Sequence, residues 1–469
     1  MQRLNRGMME RYEIPAHIPG AVNAVQFGTG EKLLGVVDRL IDASAAQIGI
    51  ACVSAGEPLP GEGKSPAALL REQDGMFTVF ERGYRDDAPV NREIVVQSIL
   101  RLAETDEELD ALAAEPGLGL ALIDGEGEET SLRQAARLLA ARMEAGLGGL
   151  EVICLGDTPD AAEKVRDALP ALAPEAGEDF PAWLASDCAF LPALAEGFAF
   201  RAEAREAAKL CTDMNYADGM IHLAEPCARL TVQAGEEFRR RWPLDDVPGV
   251  TFVEDVAPAM ARKRRYFDGA LFALAAPGWL LGCDTLAECM KREALRAFVG
   301  HACYDELLPA DPAARGEAAP YVIEVFERLE NPLNDCRILR AADHLLRRFA
   351  RGPLPLMRAW AKENFEPPRR LSFALAATIM LYAGARPGES GRWEVARGKE
   401  LQPLRDDPEA LSVFDTLAHD MPPESLAYAA LADRELWNGA DLREIDGLEA
   451  RVALDIANMQ RDPRYLPEE

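Results

Sequence analysis

A short apolar run, Ala21–Phe27, ends in Gly28-Thr29-Gly30 and passes at once into Glu31–Ala45, where Leu33, Leu34, Val37, Leu40 and Ile41 recur at helical spacing. A strand that turns on glycines into a helix belongs to a sheet with parallel strands. The helix must carry the chain back to the sheet's starting edge before the next strand begins. The following stretches keep that alternation. Gln47–Ser54, Thr78–Arg82, Ile94–Gln97, Leu118–Ile123 and Leu150–Leu155 read as strands, and Glu107–Glu115 and Ser131–Gly146 read as helices. The stretch from about 159 to 208 is rich in Ala, Glu and Pro and reads as helices with loops. Val250–Val253 is the last strand candidate.

Beyond it the period changes. In Asp284–Leu308 the residues Leu286, Met290, Ala294, Phe298 and Ala302 fall four apart on one face, with Thr285 and Glu288 as a capping box. Ala319–Leu329, Leu333–Phe349, Leu371–Ala383 and Pro408–Leu417 repeat the pattern, separated by Pro-rich joints at Pro353-Leu354-Pro355 and Pro367-Pro368. A chain of 469 residues exceeds one compact core. The expectation is an α/β domain over 1–255 followed by an all-α domain over 256–469.

Charge and cysteine usage narrow the function. With 51 basic and 79 acidic side chains the net charge is −28, a field that repels phosphate backbones and anionic membranes, so neither nucleic acid nor membrane is an expected partner. The nine Cys are scattered without a C-x-x-C pair, which fits reduced thiols in a cytoplasm. The five His show no ligand spacing, so no metal is expected. The charged start, Met1–Arg11, is not a signal peptide, and Leu371–Ala385 is too short to span a membrane.

Two stretches carry candidate chemistry. Gly28-Thr29-Gly30 sits where a dinucleotide-binding turn would sit: the first Gly permits the turn, and the second lets a pyrophosphate approach free N–H groups at the helix N-terminus. An ordinary strand–turn–helix fits the same residues, and the third expected Gly comes late, at Gly35. Lys263 and Asp268 stand five apart in Lys263-Arg264-Arg265-Tyr266-Phe267-Asp268-Gly269-Ala270-Leu271. On an α-helix, positions i, i+5 and i+8 lie within roughly 140° of one another, so 263, 268 and 271 can face one cleft. Lys263 can serve as acid–base. It can equally be one of four basic residues on a solvated face, and Asp268 can be a plain turn residue.

These stretches resemble the long-chain polyol and hexuronate dehydrogenases, that is, the mannitol dehydrogenase family and within it the tagaturonate reductases (altronate oxidoreductases). The resemblance extends in order over nearly the whole chain. It includes Gln26–Gly30 with Leu34-Gly35-Val36-Val37-Asp38, Gly249–Pro258, Lys263–Leu271, Glu306-Leu307-Leu308-Pro309, Phe326–Pro332, Pro368–Ala377, Arg405–Glu409 and Glu435–Leu442. It implies a Rossmann-like NAD-binding domain with Phe27, Gly28, Thr29 and Gly30 at the cofactor. It implies a catalytic Lys263 with Asp268 in the family's Asn position, Asp218 at the substrate, and a sugar acid or polyol turned over in a cleft between the domains. The chain departs from the pattern where the family has a His (Leu271), an Arg (Gly219) and a Ser-Asn-Thr-Thr-Glu-like turn (Ile123-Asp124-Gly125-Glu126-Gly127). Those losses leave two readings open: an NAD-dependent oxidoreductase, or a silent relative that keeps the fold for ligand binding or regulation.

Overall fold

The computed structural model describes every residue except 55, 57, 60–62, 86, 87, 128, 312–315, 317, 334, 335, 389–391, 399, 468 and 469. The chain forms two compact units, Met1–Met260 and Ala261–Glu469.

The first unit is built on an eight-stranded sheet. Its strands are β1 (Val22–Phe27), β2 (Gly49–Val53), β3 (Ile99–Ala103), β4 (Leu120–Asp124), β5 (Glu151–Leu155), β6 (Ala189–Glu196), β7 (Arg229–Gln233) and β8 (Val250–Val253), in the order 3-2-1-4-5-6-7-8. The first six are parallel; β7 runs antiparallel to β6, and β8 runs parallel to β7. This is the dinucleotide-fold order with two added strands. The central strands β2, β4 and β5 read as largely apolar runs because both their faces are buried. Along β1 the side chains alternate between two cores: Ala24 joins Ile50, Leu120 and Leu122 on one face, while Val25 and Phe27 join Val53, Ala121 and Ile123 on the other.

Two expectations change here. Thr78–Arg82 and Ile94–Gln97 do form strands, but as the hairpin Phe77–Arg85 with Ala88–Val96 in a separate four-stranded sheet. Ala189–Glu196, placed in a helical stretch by composition, is core strand β6, since its register beside β5 outweighs its Ala and Pro content.

The second unit is helical, with one small antiparallel sheet among its described residues: Ala385–Pro387, Trp393–Arg397 and Glu400–Pro403. That sheet corrects the all-helical expectation. Its centre is the helix Asp268–Leu280, buried from Asp268 to Trp279 and packed against Arg369–Ala383. Phe272 stacks on Phe349 at 4.3 Å, and Phe349 meets Trp437 edge-on at 5.6 Å. The expected single helix Asp284–Leu308 is broken at Arg292, whose ψ of 109° is extended, into Leu286–Lys291 and Glu293–His301 followed by a π-helical stretch, Ala302–Leu307. Leu333–Phe349, part of which lies outside the described residues, is likewise divided, with His344 in a left-handed conformation before Leu345–Arg351. Several quoted motifs are couplings between helices. Glu306 accepts the N–H groups of Arg370 and Leu371 at 2.8 and 2.9 Å, capping the buried helix Arg369–Ala383. Asp406 accepts from Leu346 N and the Tyr382 hydroxyl. Among the described residues no helix is long and apolar enough to cross a membrane.

Candidate active site

In the first unit the sheet order reverses at β1, with β2 on one side and β4 on the other, and the crevice above their carboxyl ends is where such sheets bind ligands. The glycine turn sits there. Gly28 has φ +103°, a left-handed value that glycine adopts freely, and its N–H donates to the Val53 carbonyl at 2.8 Å, tying the turn to the end of β2. A Cβ on Gly28 would lie 3.2 Å from Ser131 Oγ, whereas one on Gly30 would meet nothing within 4 Å, so the backbone is open on that side. Lys32 Nζ and the Asp124 carboxylate at the end of β4 lie 3.4 Å apart. Phe27 corrects its expected role. Its side chain is 1% exposed and belongs to the core, so only its backbone could approach a cofactor.

The late glycine has a packing role. Gly35 lies in a π-helical turn, Leu33–Asp38, and a Cβ there would come within 2.3 Å of the Ala199 Cβ. His222 lies beside it, fully buried, its Nδ1 bonded to the Met220 carbonyl at 2.8 Å; burial lowers its pKa to about 4.

Asp218 is not offered to a substrate. It is 5% exposed, and three donors occupy its carboxylate: Gln73 Nε2 at 2.8 Å, the Thr78 N–H at 2.6 Å and the Met220 N–H at 2.6 Å. Burial pushes its pKa up, and these hydrogen bonds oppose the shift. It knits the hairpin to the segment before His222, a structural role that replaces the expected binding one.

In the second unit Lys263 and Asp268 meet. Lys263 Nζ donates to Asp268 Oδ2 at 3.1 Å and lies 3.0 Å from Oδ1. Lys263 is 8% exposed and Asp268 1%, so the solvated-face reading fails. The local backbone explains the pair. Lys263–Phe267 is a π-helical turn in which the Asp268 N–H returns to the Lys263 carbonyl, and the wider turn stacks i+5 over i, where an α-helix would leave it far round the axis. Asp268 is therefore no turn residue; the helix runs straight through it. On the same turn Arg265 and the Tyr266 hydroxyl both bind Asp311 Oδ2 at 2.8 Å, and Arg262 lies over Tyr321. Leu271 is fully buried in the core. His301 pairs with Asp305 at 2.7 Å near the surface.

His344, Asp406 and Asp407 place possible ligand atoms within 4.8 Å of one another. Asp406 already takes three hydrogen bonds and Arg347 stands 3.4 Å from Asp407, so the group reads as an ion-pair network. Two residues of the quoted motifs, Gln26 and Asp38, drew no comment from spacing alone. Their signal is a polar side chain on a fully apolar strand and a carboxylate on an apolar helix face.

A parallel sheet in the 3-2-1-4-5-6 order with a glycine turn at its switch point, followed by a helical unit, is the architecture of two-part dinucleotide-binding dehydrogenases. Residues 255–459 match the family model of the mannitol dehydrogenase C-terminal domain. Altronate oxidoreductases of Shigella sonnei (strain Ss046) and Escherichia coli O1:K1 / APEC are each 28% identical to this chain, over 97% of it and 97% of their own length. Pseudomonas fluorescens mannitol 2-dehydrogenase, solved in ternary complex with NAD and D-mannitol, shares the fold with a TM-score of 0.77 at 17% identity, covering 99% of this chain and 98% of that one. A D-sorbitol dehydrogenase in substrate-free form gives 0.71 at 16% identity, covering 99% of both chains. The chain is thus similar to altronate oxidoreductases over nearly its whole length, carries a match to the mannitol dehydrogenase C-terminal domain, and shares its fold with mannitol 2-dehydrogenase.

Proposed function

We propose that this protein is an NAD-dependent oxidoreductase that interconverts a ketone and a secondary alcohol on a hexuronate or a polyol. The observation that carries this reading is the buried Lys263–Asp268 pair. Reduction of a ketone needs a proton at the carbonyl oxygen as the hydride arrives at carbon, and oxidation needs a base for the same proton. Lys263 is the group placed to give or take this proton, with Asp268 holding its Nζ in place.

The residues around the glycine turn fit a dinucleotide. The left-handed Gly28 and the open face at Gly30 leave room for a pyrophosphate against the backbone. NAD bound there would supply or accept the hydride. Gly28, Thr29 and Gly30 would hold it through backbone groups, with Lys32 nearby as a cation. Altronate oxidoreductase relatives support a hexuronate, and the mannitol 2-dehydrogenase neighbour supports a polyol.

A second reading rests on Leu271. It stands where the family carries a His, is buried, and can neither donate nor accept a hydrogen bond. A silent relative would bind dinucleotide or sugar acid without turnover. The two readings separate on titration with NADH, followed by fluorescence, and on reduction of tagaturonate, fructuronate and fructose. Turnover that vanishes in Lys263→Ala supports the enzyme; binding without turnover supports the silent relative; no NADH binding at millimolar concentration removes the dehydrogenase reading.

A further inference from the structure

Asp38 is a buried carboxyl that the chemistry above leaves unused. It ends the π-helical turn after the glycine turn, is 0% exposed, and neither of its oxygens has a hydrogen-bond partner. The Gln26 carboxamide faces it. Gln26 is also 0% exposed; its Nε2 donates to the Gly28 carbonyl at 3.1 Å, and its Oε1 has no donor. Both Asp38 oxygens and the amide's own Oε1 thus lie buried without a hydrogen. An ionised Asp38 would leave Oε1 unsatisfied beside a negative charge, and a buried acceptor with no donor bears its full desolvation penalty. Rotating the amide to serve Asp38 would set Oε1 against the Gly28 carbonyl instead.

We propose that Asp38 is a neutral carboxylic acid locked in a cyclic acid–amide pair with Gln26, and that this pair is a positioning device for the Gly28–Gly30 turn. The Asp38 O–H donates to Gln26 Oε1. One Nε2 hydrogen returns to the Asp38 carbonyl oxygen, and the other goes to the Gly28 carbonyl. Every buried polar atom then has a partner, and no net charge lies in the core. Burial pushes the Asp38 pKa well up, the facing Gln26 amide pulls the other way, and the nearby negative charge of Asp42 adds to the rise. Cys52, whose thiol burial keeps protonated, adds a second neutral donor to the Gly28 carbonyl at 3.5 Å. Fixing that carbonyl fixes the peptide plane it belongs to. In a trans peptide the N–H points opposite to the C=O, so the Thr29 N–H is aimed away from Gln26. An aimed N–H is what a pyrophosphate at this turn needs. Asp38 acts on the cofactor only through Gln26 and the backbone.

The functional half of this inference rests on the dinucleotide reading, and the experiment separates the two. The infrared difference spectrum of wild type minus Asp38→Asn at neutral pH should show a protonated carboxylic-acid C=O stretch. Its absence overturns the acid–amide pair, whatever the protein binds. Asp38→Asn retains a neutral donor and should bind NADH within about threefold of wild type. Asp38→Leu and Gln26→Leu should weaken binding by about tenfold or more, chiefly in KM for NADH and with kcat little changed. Equal loss in Asp38→Asn and Asp38→Leu would mean that the ionised carboxylate is required, and wild-type binding in Asp38→Leu would mean that nothing is positioned; either result ends the proposal. Should Asp38→Leu fail to fold, the infrared band and Asp38→Asn still decide it. Wild type that shows the band without binding NADH would sink the dehydrogenase reading and leave the acid–amide pair standing.

Discussion

The glycine turn of the first unit and the Lys263 turn of the second are built from different materials. The first is made of backbone: a left-handed Gly28, an N–H tied to Val53, and a sheet order that reverses beside β1. The second is made of side chains: an ammonium and a carboxylate brought together by a widened helical turn. A backbone site tolerates sequence drift, because many side chains permit the same peptide geometry. A side-chain site does not, because one substitution removes an atom that the chemistry uses. The departures from the pattern of the resembling family at Asp268 and Leu271 therefore weigh more on the proposed chemistry than any side-chain change at the glycine turn weighs on the proposed cofactor site.

That contrast can be broken or sharpened by measurement. The largest effect should come from Lys263→Ala, with kcat for ketone reduction down about 10²–10⁴-fold and NADH affinity unchanged; loss of NADH affinity instead would merge the two sites into one. Next, Asp268→Ala leaves Lys263 buried without its carboxylate and should destabilise the protein by about 3–5 kcal/mol in denaturant titration, since one partner of a buried pair is stranded. A change under about 1 kcal/mol would show that the pair is solvated in solution.

His222 tests the packing beneath the glycine turn. Its folded-state pKa of about 4 lies below the ordinary 6.5, so between those values the unfolded chain binds a proton that the folded one refuses. Stability is therefore intact above pH 6.5 and falls as pH drops towards 4, by about 3 kcal/mol from this residue. His222→Gln should flatten that acid limb, and an unchanged pH profile would place the imidazole in water. The smallest effect is expected from Gly28→Ala, which forces a non-glycine residue to a positive φ at about 1–3 kcal/mol of strain. It should raise the NADH Kd by about tenfold while leaving kcat nearly intact.

The sequence showed the first unit well where strands are uniformly apolar. β1, β2, β4 and β5 stand out because the centre of a sheet buried on both faces needs largely hydrophobic runs; β8, a half-exposed edge strand, stands out by its Val and Phe. It hid β6, since Ala and Pro in Ala189–Glu196 speak for helix and loop and only the neighbouring strand overrides them. In the second unit helical spacing identified the helices but missed their breaks at Arg292 and His344, which depend on tertiary contacts. The candidate site was legible by residue type and not by geometry. Spacing placed Lys263 and Asp268 on one broad face, but nothing in the residues announces a π turn. The same blindness made Asp218 a substrate ligand, because a carboxylate that three donors saturate looks in sequence like one that is free.

The widened turn at Lys263–Phe267 holds one residue more than an α turn needs. Loss of a single residue there would restore ordinary winding and leave Lys263 and Asp268 four apart, still on one face, while the segment before the turn rotates roughly 100° about the axis. The helix from Asp268 to Leu280 could keep its place among its neighbours. One short insertion or deletion here would therefore spare the ion pair and change only the direction from which the chain enters the buried helix.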